Sequence, residues 1–417
     1  MWRRFRSFDH SVQLLMLNQL TINIGFYMLM PYLAGHLSAG LGMAAWAVGL
    51  VLGARNLSQQ GLFLLGGTLA DRLGYRPVII AGCLLRTAGF ALLGFASTLP
   101  LLLAASVMTG LAGALFNPAV RAYVAHDAGE RRVEAFALFN VFYQAGILLG
   151  PLIGLALMAV DFRLACLVAA AIFALLTVLQ VLALPPCRTE TTQAGAQTGV
   201  QAGVLADWRA VVTNRPFLLF TLAMVGSYVL SFQVYLALPL ELGDTRAVGL
   251  LFVVSAIVAV TGQLRITDWA RRRWTARQAI ARGVALMALS FTPLMLYGFV
   301  DESLRVPAVL ACTVLLTLGT TLTYPFEMDT VVALCAGRMV ATHYGFYNTI
   351  AGAGIAVGNV VVGHMLDEGT SRAWLTLTGV GMVSALAVSL LRDGDKPVSR
   401  LLPWARQRRT SSTSTLS

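Results

Sequence analysis

Four groups of residues in this sequence combine types and spacings that could do chemistry. The first is Gly67-Thr-Leu-Ala-Asp71-Arg72-Leu-Gly74-Tyr75-Arg76-Pro77, set between two apolar runs. Gly67 lets a second helix approach closely, and Gly74 permits a tight turn. Asp71 can accept hydrogen bonds from the N-terminus of a neighbouring helix, while Arg72 and Arg76 suit an anionic membrane surface. The second is Gly146-Ile-Leu-Leu-Gly150-Pro151-Leu-Ile-Gly154. A glycine at every fourth position clears one helix face for another backbone, and Pro151 removes a backbone hydrogen bond and bends the helix there.

The third group is charge and amide inside apolar runs, where charge is costly and usually functional. Arg55 precedes Asp71 by 16 residues, about 24 Å along a helix, and Gln59 shares its face. Arg86 lies 10 residues past Arg76, about 15 Å into the next run. Two readings stand for both arginines: they face a water-filled cavity, or they tie helices together through carbonyls and amides. Asn18, Asn23, Tyr27, Tyr143, Gln144, Tyr228 and Gln233 add amides and phenols at similar depth. Such groups suit bulky amphipathic ligands; equally, they serve as helix–helix hydrogen bonds of under about 1 kcal/mol each.

The fourth group is the acids near membrane depth: Glu327 and Asp329 just after Pro325, and Glu241 at the outer end of the seventh apolar run. A buried carboxylate is what a proton carrier needs. The competing reading places Glu327 and Asp329 at the end of their helix as solvated charges. His343 and His364 stand near helix ends and read as structural. No G-x-x-x-x-G-K-S/T phosphate loop occurs, and the five cysteines (Cys83, Cys166, Cys187, Cys312, Cys335) lack metal-ligand spacing. Neither a metal, a cofactor nor an enzymatic activity is expected.

The elements that position these groups follow from composition. Of 417 residues 57% are hydrophobic and only 12% charged, with mean hydropathy +0.74. A soluble domain covers itself with about twice that charge. Twelve apolar runs, at 11–36, 44–69, 77–97, 100–125, 134–160, 163–184, 216–241, 247–266, 279–300, 305–334, 341–365 and 373–391, are each long enough to cross a bilayer as a helix. The first is too long for the core of a signal peptide, despite Arg3, Arg4 and Arg6 before it, and reads as an uncleaved helix. The fold class expected is an all-α membrane protein of two six-helix bundles: 1–184 and 216–391. A polar linker without apolar period at 185–215 separates them, and a disordered tail fills 392–417.

Charge placement orients the chain. The net charge of +11 would suggest nucleic acid in a soluble protein; here it lies between the apolar runs. With a cytoplasmic N-terminus, 24 of the 30 Lys and Arg residues fall on the cytoplasmic side or tail. Only Arg163, Arg246, Arg305 and Arg372 fall outside, with Arg55 and Arg86 inside helices. The halves also echo each other: Pro118 matches Pro325, and Asn140, Gly146 and Gly150 match Asn348, Gly354 and Gly358.

The loop at 67–77 resembles the major facilitator superfamily signature G-x-L-A-D-R-x-G-R/K-R/K, departing at Tyr75. The glycine series resembles the G-x-x-x-G-P-x-x-G-G motif of its exporting, proton-antiporting members, with Leu155 in place of the last glycine. Further segments are similar to the MdtH branch of the drug:proton antiporters: Gly25-Phe26, Arg55-Asn-Leu-Ser-Gln59-Gln60-Gly61, Leu85-Arg86-Thr-Ala-Gly89-Phe90, Leu115-Phe116-Asn117-Pro118, Asp161-Phe-Arg163-Leu, and Gln233-Val234 with Leu238-Pro239. The resemblance covers nearly the whole chain and is stronger in the N-terminal half.

The resemblance implies a monomer in the bacterial inner membrane, exporting drugs or related small molecules by alternating access, with protons as coupling ion. Asp71 would latch the halves on the cytoplasmic side, with Arg121 and the start of the eleventh helix near Thr342 as partners. Relatives carry an Asp in the first helix where this chain has Asn18-Gln19. An amide does not titrate, so that proton site does not carry over. Transport of a defined metabolite, in either direction, is the nearest alternative; a non-transporting receptor or scaffold is the more distant one.

Overall fold

Long apolar runs fold as helices because hydrocarbon offers no partner to backbone N–H and C=O groups. The computed structural model describes residues 2–43, 45–158, 160–185, 203–242, 245–300, 302–368 and 370–391, and within them every regular element is a helix. We label the main ones α1 (His10–Tyr27), α2 (Ala45–Gly61), α3 (Phe63–Leu73), α4 (Tyr75–Phe95), α5 (Leu99–Ala128), α6 (Arg132–Met158), α7 (Phe162–Ala183), α8 (Val204–Thr213), α9 (Arg215–Phe232), α10 (Thr245–Arg273), α11 (Ala276–Leu289), α12 (Thr292–Val300), α13 (Arg305–Leu334), α14 (Val340–Glu368) and α15 (Thr370–Leu390).

These make twelve membrane crossings. The second is split into α2 and α3 at Leu62, and the ninth into α11 and α12. The first continues past α1 in the short helix Met30–Gly35, and the seventh past α9 in Ala237–Leu242. Pro31 and Pro293 fall in the first turn of restarted segments, where a missing N–H costs least. Large apolar side chains on the outside, such as Leu182 at 78% and Leu57 at 74% exposure, face lipid.

The N-terminal bundle packs α1 on α6, α4 on α5 and α7, and α5 on α2 and α3. The C-terminal bundle packs α9 on α14 and α15, and α11 and α10 on α13. The bundles meet through α3 against α14 and α6 against α10. A two-fold relation exchanges these pairs, since it maps the second crossing onto the eighth and the fifth onto the eleventh. Helices in lipid gain little from apolar burial between them, so close backbone approach matters. A Cβ at Gly150 would stand 2.7 Å from the Cβ of Tyr27 on α1, and one at Gly67 would collide with the carbonyl of Ala341 on α14. The pseudo-repeat of Gly150 behaves alike: a Cβ at Gly358 of α14 would stand 2.7 Å from Val229 Cγ1 on α9.

The segment 185–215 departs from the flexible, aperiodic linker that its sequence predicts: within it, Val204–Thr213 is helix α8. Asp207 is 8% exposed and accepts from Arg72, whose Nε and Nη2 lie 2.9 and 2.6 Å from its Oδ2. Trp208 Nε1 donates to Thr68 Oγ1 at 2.9 Å. Ten residues are too few for a helix to persist in water by propensity alone; these contacts hold it. The linker residues 186–202, with Cys187, and the tail 392–417 lie outside the described residues.

Candidate functional site

The loop between α3 and α4 lies at the end of the bundle that also carries the N-terminus, Arg131 and Arg132, here termed the basic face. Gly74 closes α3 at φ 92°, a conformation that favours glycine. The turn delivers Asp71 to the first turn of α14. There Oδ2 accepts from the Thr342 amide and hydroxyl, both at 2.7 Å, and Oδ1 from the Ala341 amide at 3.2 Å. The amides at a helix start have no partner within the helix and carry its positive end, so a carboxylate fits there. Arg72 turns to Asp207, and Arg76 Nη2 donates to the Val181 carbonyl at 2.5 Å.

Arg121, the other expected partner of Asp71, is elsewhere. It lines a cavity between the bundles and donates to Asn348 Oδ1 at 3.3 Å. It stands three residues after Pro118, while Glu327 stands two after Pro325, so the two residues occupy matched depths on α5 and α13. That spacing was the available signal. Further ties cross between the bundles toward the basic face: Arg132 to Asp329 at 2.6 Å, Arg4 to Asp268 at 2.5 Å, and Asn140 to Gln263 at 2.6 Å. Asn140 and Asn348, matched by the internal repeat, each bridge to the opposite bundle.

The cavity has a volume of about 190 Å³, and among its lining residues are Arg121, Tyr143, Gln144, Tyr228, Tyr324 and Glu327. A second of about 180 Å³ shares Gln144, Ser231 and Thr320 with it and continues along Tyr235 and Phe252. Either alone is small beside a drug-sized site of roughly 300–1,000 Å³, and the two adjoin through the residues they share. Glu327 is 4% exposed, and its Oε1 accepts from the hydroxyls of Tyr228 and Tyr347, each at 2.7 Å. The reading of Glu327 as a solvated helix-end charge therefore fails. Asp329, two residues on, points the other way to Arg132 and is part-exposed. Glu241 lies on the short helix Ala237–Leu242, apart from the cavity lining.

The remaining expected residues divide. Tyr143 and Gln144 line the cavity, and Tyr27 neighbours Tyr143 and Tyr235. Asn23 is a helix tie, donating to the Tyr143 carbonyl at 3.3 Å beside Gly146. Gln233 is wholly buried and donates to the Val229 carbonyl at 2.8 Å, which makes it structural. Asn18 is wholly buried with neither side-chain polar atom hydrogen-bonded. Arg55 donates to Asn56 and Gln59 at 2.9 and 2.8 Å and lies over the Phe26 ring at 4.3 Å. Arg86 is 6% exposed between the Phe116 and Phe173 rings, 5.7 and 5.5 Å from their centroids. Such ring contacts are worth up to about 2 kcal/mol each, less than the several kcal/mol that burying a charge costs. Tyr347, Tyr324 and Gln263 went unnoticed in the sequence, because a lone phenol or amide in an apolar helix carries no spacing signal.

The arrangement is a polar cavity between two helical bundles, fastened at one end by a carboxylate on a helix start. A sequence model described as Major Facilitator Superfamily matches residues 15–359. An uncharacterized MFS-type transporter of Mycobacterium tuberculosis is 50% identical over 402 residues, covering 94% of each chain. Multidrug resistance protein MdtH of Edwardsiella ictaluri is 32% identical over 380 residues, covering 89% of this chain and 91% of that one. The crystal structure of the human organic anion transporter MFSD10 (TETRAN) superposes with a TM-score of 0.67 over 91% of this chain and 98% of the other, at 17% identity; that likeness concerns the fold.

Proposed function

The chain belongs to the major facilitator superfamily, and from that premise we propose that it exports drugs or related amphipathic compounds across the inner membrane in exchange for protons. The observation that carries this reading is Asp71 seated on the start of α14 beneath a polar cavity. With the basic face cytoplasmic, the arginine bias matches a chain whose two termini are inside. The latch then closes the cytoplasmic end, and its release lets the bundles rock about the cavity and expose it to the other side. Similarity to multidrug resistance proteins MdtH along about nine tenths of the chain supports the substrate class.

Glu327 is the residue we assign to the proton. It is the carboxylate of the cavity lining, it is shielded from water by two tyrosines, and Arg121 lies on the facing bundle at matched depth. A proton bound there from the outer side and released at the inner one would drive export. In this chain the titrating acid would thus stand on α13, since α1 contains no carboxylate and has Asn18-Gln19 where relatives carry an Asp. Purified protein in liposomes tests the reading: the lumen should acidify when substrate crosses outward down its gradient. Transport indifferent to a collapsed proton gradient would remove antiport. A susceptibility panel comparing deletion with overexpression separates drug export from transport of a single metabolite, which would leave every toxic compound unaffected.

A further inference from the structure

The two halves use the second interhelical loop of each differently. The two-fold relation that maps the second crossing onto the eighth maps the loop 67–77 onto the hairpin between α10 and α11. One arginine matches across it: Arg76 donates to the Val181 carbonyl near the end of α7, and Arg277 Nη1 donates to the Leu391 carbonyl just past α15 at 2.6 Å. The hairpin carries more than this tie. From Arg265 to Arg282 it holds six arginines and one acid, Asp268, which Arg4 engages. In the N-terminal loop Arg72 is bound by Asp207. In the hairpin Arg265, Arg271, Arg272, Arg273 and Arg282 have no side-chain hydrogen bond or ion pair among the described residues.

Two of these five are steadied by rings. Arg273 lies over the Trp269 ring at 5.5 Å, Arg282 lies over the Trp274 ring at 4.4 Å, and the two indoles meet edge to face at 4.5 Å. A ring occupies the face of a guanidinium and leaves its in-plane N–H fork open to phosphate oxygens. The hairpin also stands at the bilayer surface, because α10 crosses the membrane and ends at Arg273. An exposed row, one residue per turn, runs along α10 through Ile257, Thr261, Arg265, Trp269 and Arg273. Ile257 at 50% exposure faces acyl chains, and Trp269 at 45% suits the headgroup level, to which the arginines beside it extend. We propose that the hairpin binds an anionic phospholipid of the leaflet at the basic face, with Arg273 and Arg282 on its phosphate and its acyl chains along α10. A zwitterionic lipid would bring a cation of its own to the arginines, and an anionic one does not. The chain's own tail is no substitute, since residues 392–417 hold six Lys and Arg against two Asp. Both helices belong to the C-terminal bundle, so the inference stands apart from the latch and from the export reading.

Native mass spectrometry of the full chain in detergent tests this, with dioleoylphosphatidylglycerol as probe and dioleoylphosphatidylcholine as the control of equal chain length. Wild-type protein should retain the anionic lipid roughly thirtyfold more tightly, as two arginines at about fivefold each predict. Arg273→Gln combined with Arg282→Gln should remove most of that preference. Trp269→Leu combined with Trp274→Leu keeps every charge and should still lose about threefold or more, because the guanidiniums are no longer steadied. Arg338 is exposed on the same face outside the hairpin, and Arg338→Gln should leave the preference within about twofold. Should the glutamine pair not fold, the tryptophan pair and the wild-type ratio decide. Equal retention of the two lipids by the wild type overturns the site. Equal losses in Arg338→Gln and in the hairpin pair also overturn it, since diffuse charge would then account for binding. Millimolar glycerol phosphate separates the sources of phosphate: a lipid that stays bound supports the proposal, and its displacement makes a soluble phosphate the occupant and overturns it.

Discussion

Replacing Asp71 by asparagine isolates the latch, because shape is kept and only charge and one acceptor are lost. In the native contact two oxygens serve the Thr342 amide, the Thr342 hydroxyl and the Ala341 amide. An asparagine can keep its oxygen toward Thr342, and its amino group then faces the Ala341 N–H. Bonds to a charged acceptor contribute about 1.5–3 kcal/mol against about 1 for neutral ones, and a stranded donor costs about 1–3. Summed with the lost attraction between carboxylate and helix start, the deficit is roughly 3 kcal/mol. That shifts the balance between fastened and unfastened bundles about a hundredfold. Hydrogen exchange of the peptide covering 339–347 reads the change directly, since the Ala341 and Thr342 amides are protected by Asp71 itself. Exchange there should accelerate by up to that factor, while peptides from α4 and α7 stay as they were. If the variant protects these amides to within about threefold of wild type, Asp71 does not fasten the bundles and the argument fails.

Three other substitutions probe separate parts. Gly150→Leu drives a side chain into Tyr27 and the Met28 amide and should cost about 1–3 kcal/mol, read as a lowered melting temperature in detergent; Gly53→Leu, with nothing within 4 Å, should leave it unchanged. Glu327→Gln replaces a charged acceptor of two tyrosine hydroxyls and should destabilise by no more than about 1–2 kcal/mol. In liposomes it should keep substrate-for-substrate exchange and lose luminal acidification, and coupled transport in this variant would exclude Glu327 as the proton site. Asp207→Ala removes the acceptor of Arg72, worth about 1.5–3 kcal/mol, and should undock α8. Faster proteolysis within 203–214 is the readout, and unchanged proteolysis would mean that Trp208 alone holds the helix.

Much of the molecule is legible in the order of its residues, for reasons that can be named. Hydrocarbon forces each long apolar run into a helix, so the crossings follow from run length and their number from a count. Gly67, Gly74, Gly146, Gly150 and Gly154 signal close approach or a turn because no other residue serves there, and each sits at such a place. Helix α8 escaped because its ten residues are too few to cross a bilayer or to persist as a helix by propensity alone; what orders it is Arg72, distant in sequence.

The sequence by itself therefore determined the membrane, the crossings and the two bundles; that the Asp71 loop meets the start of α14 came from the resemblance to a family. The first three depend on local pattern or on spacing along one helix. Only the tertiary structure decided which polar groups share a space. It parted Arg121 from Asp71, set Glu327 between Tyr228 and Tyr347 while its near neighbour Asp329 went to Arg132, and left Arg86 between two rings. The reason is rotational: residues two apart on a helix, such as Glu327 and Asp329, point to nearly opposite sides, and the neighbours they meet come from other helices whose azimuth no single run of sequence records.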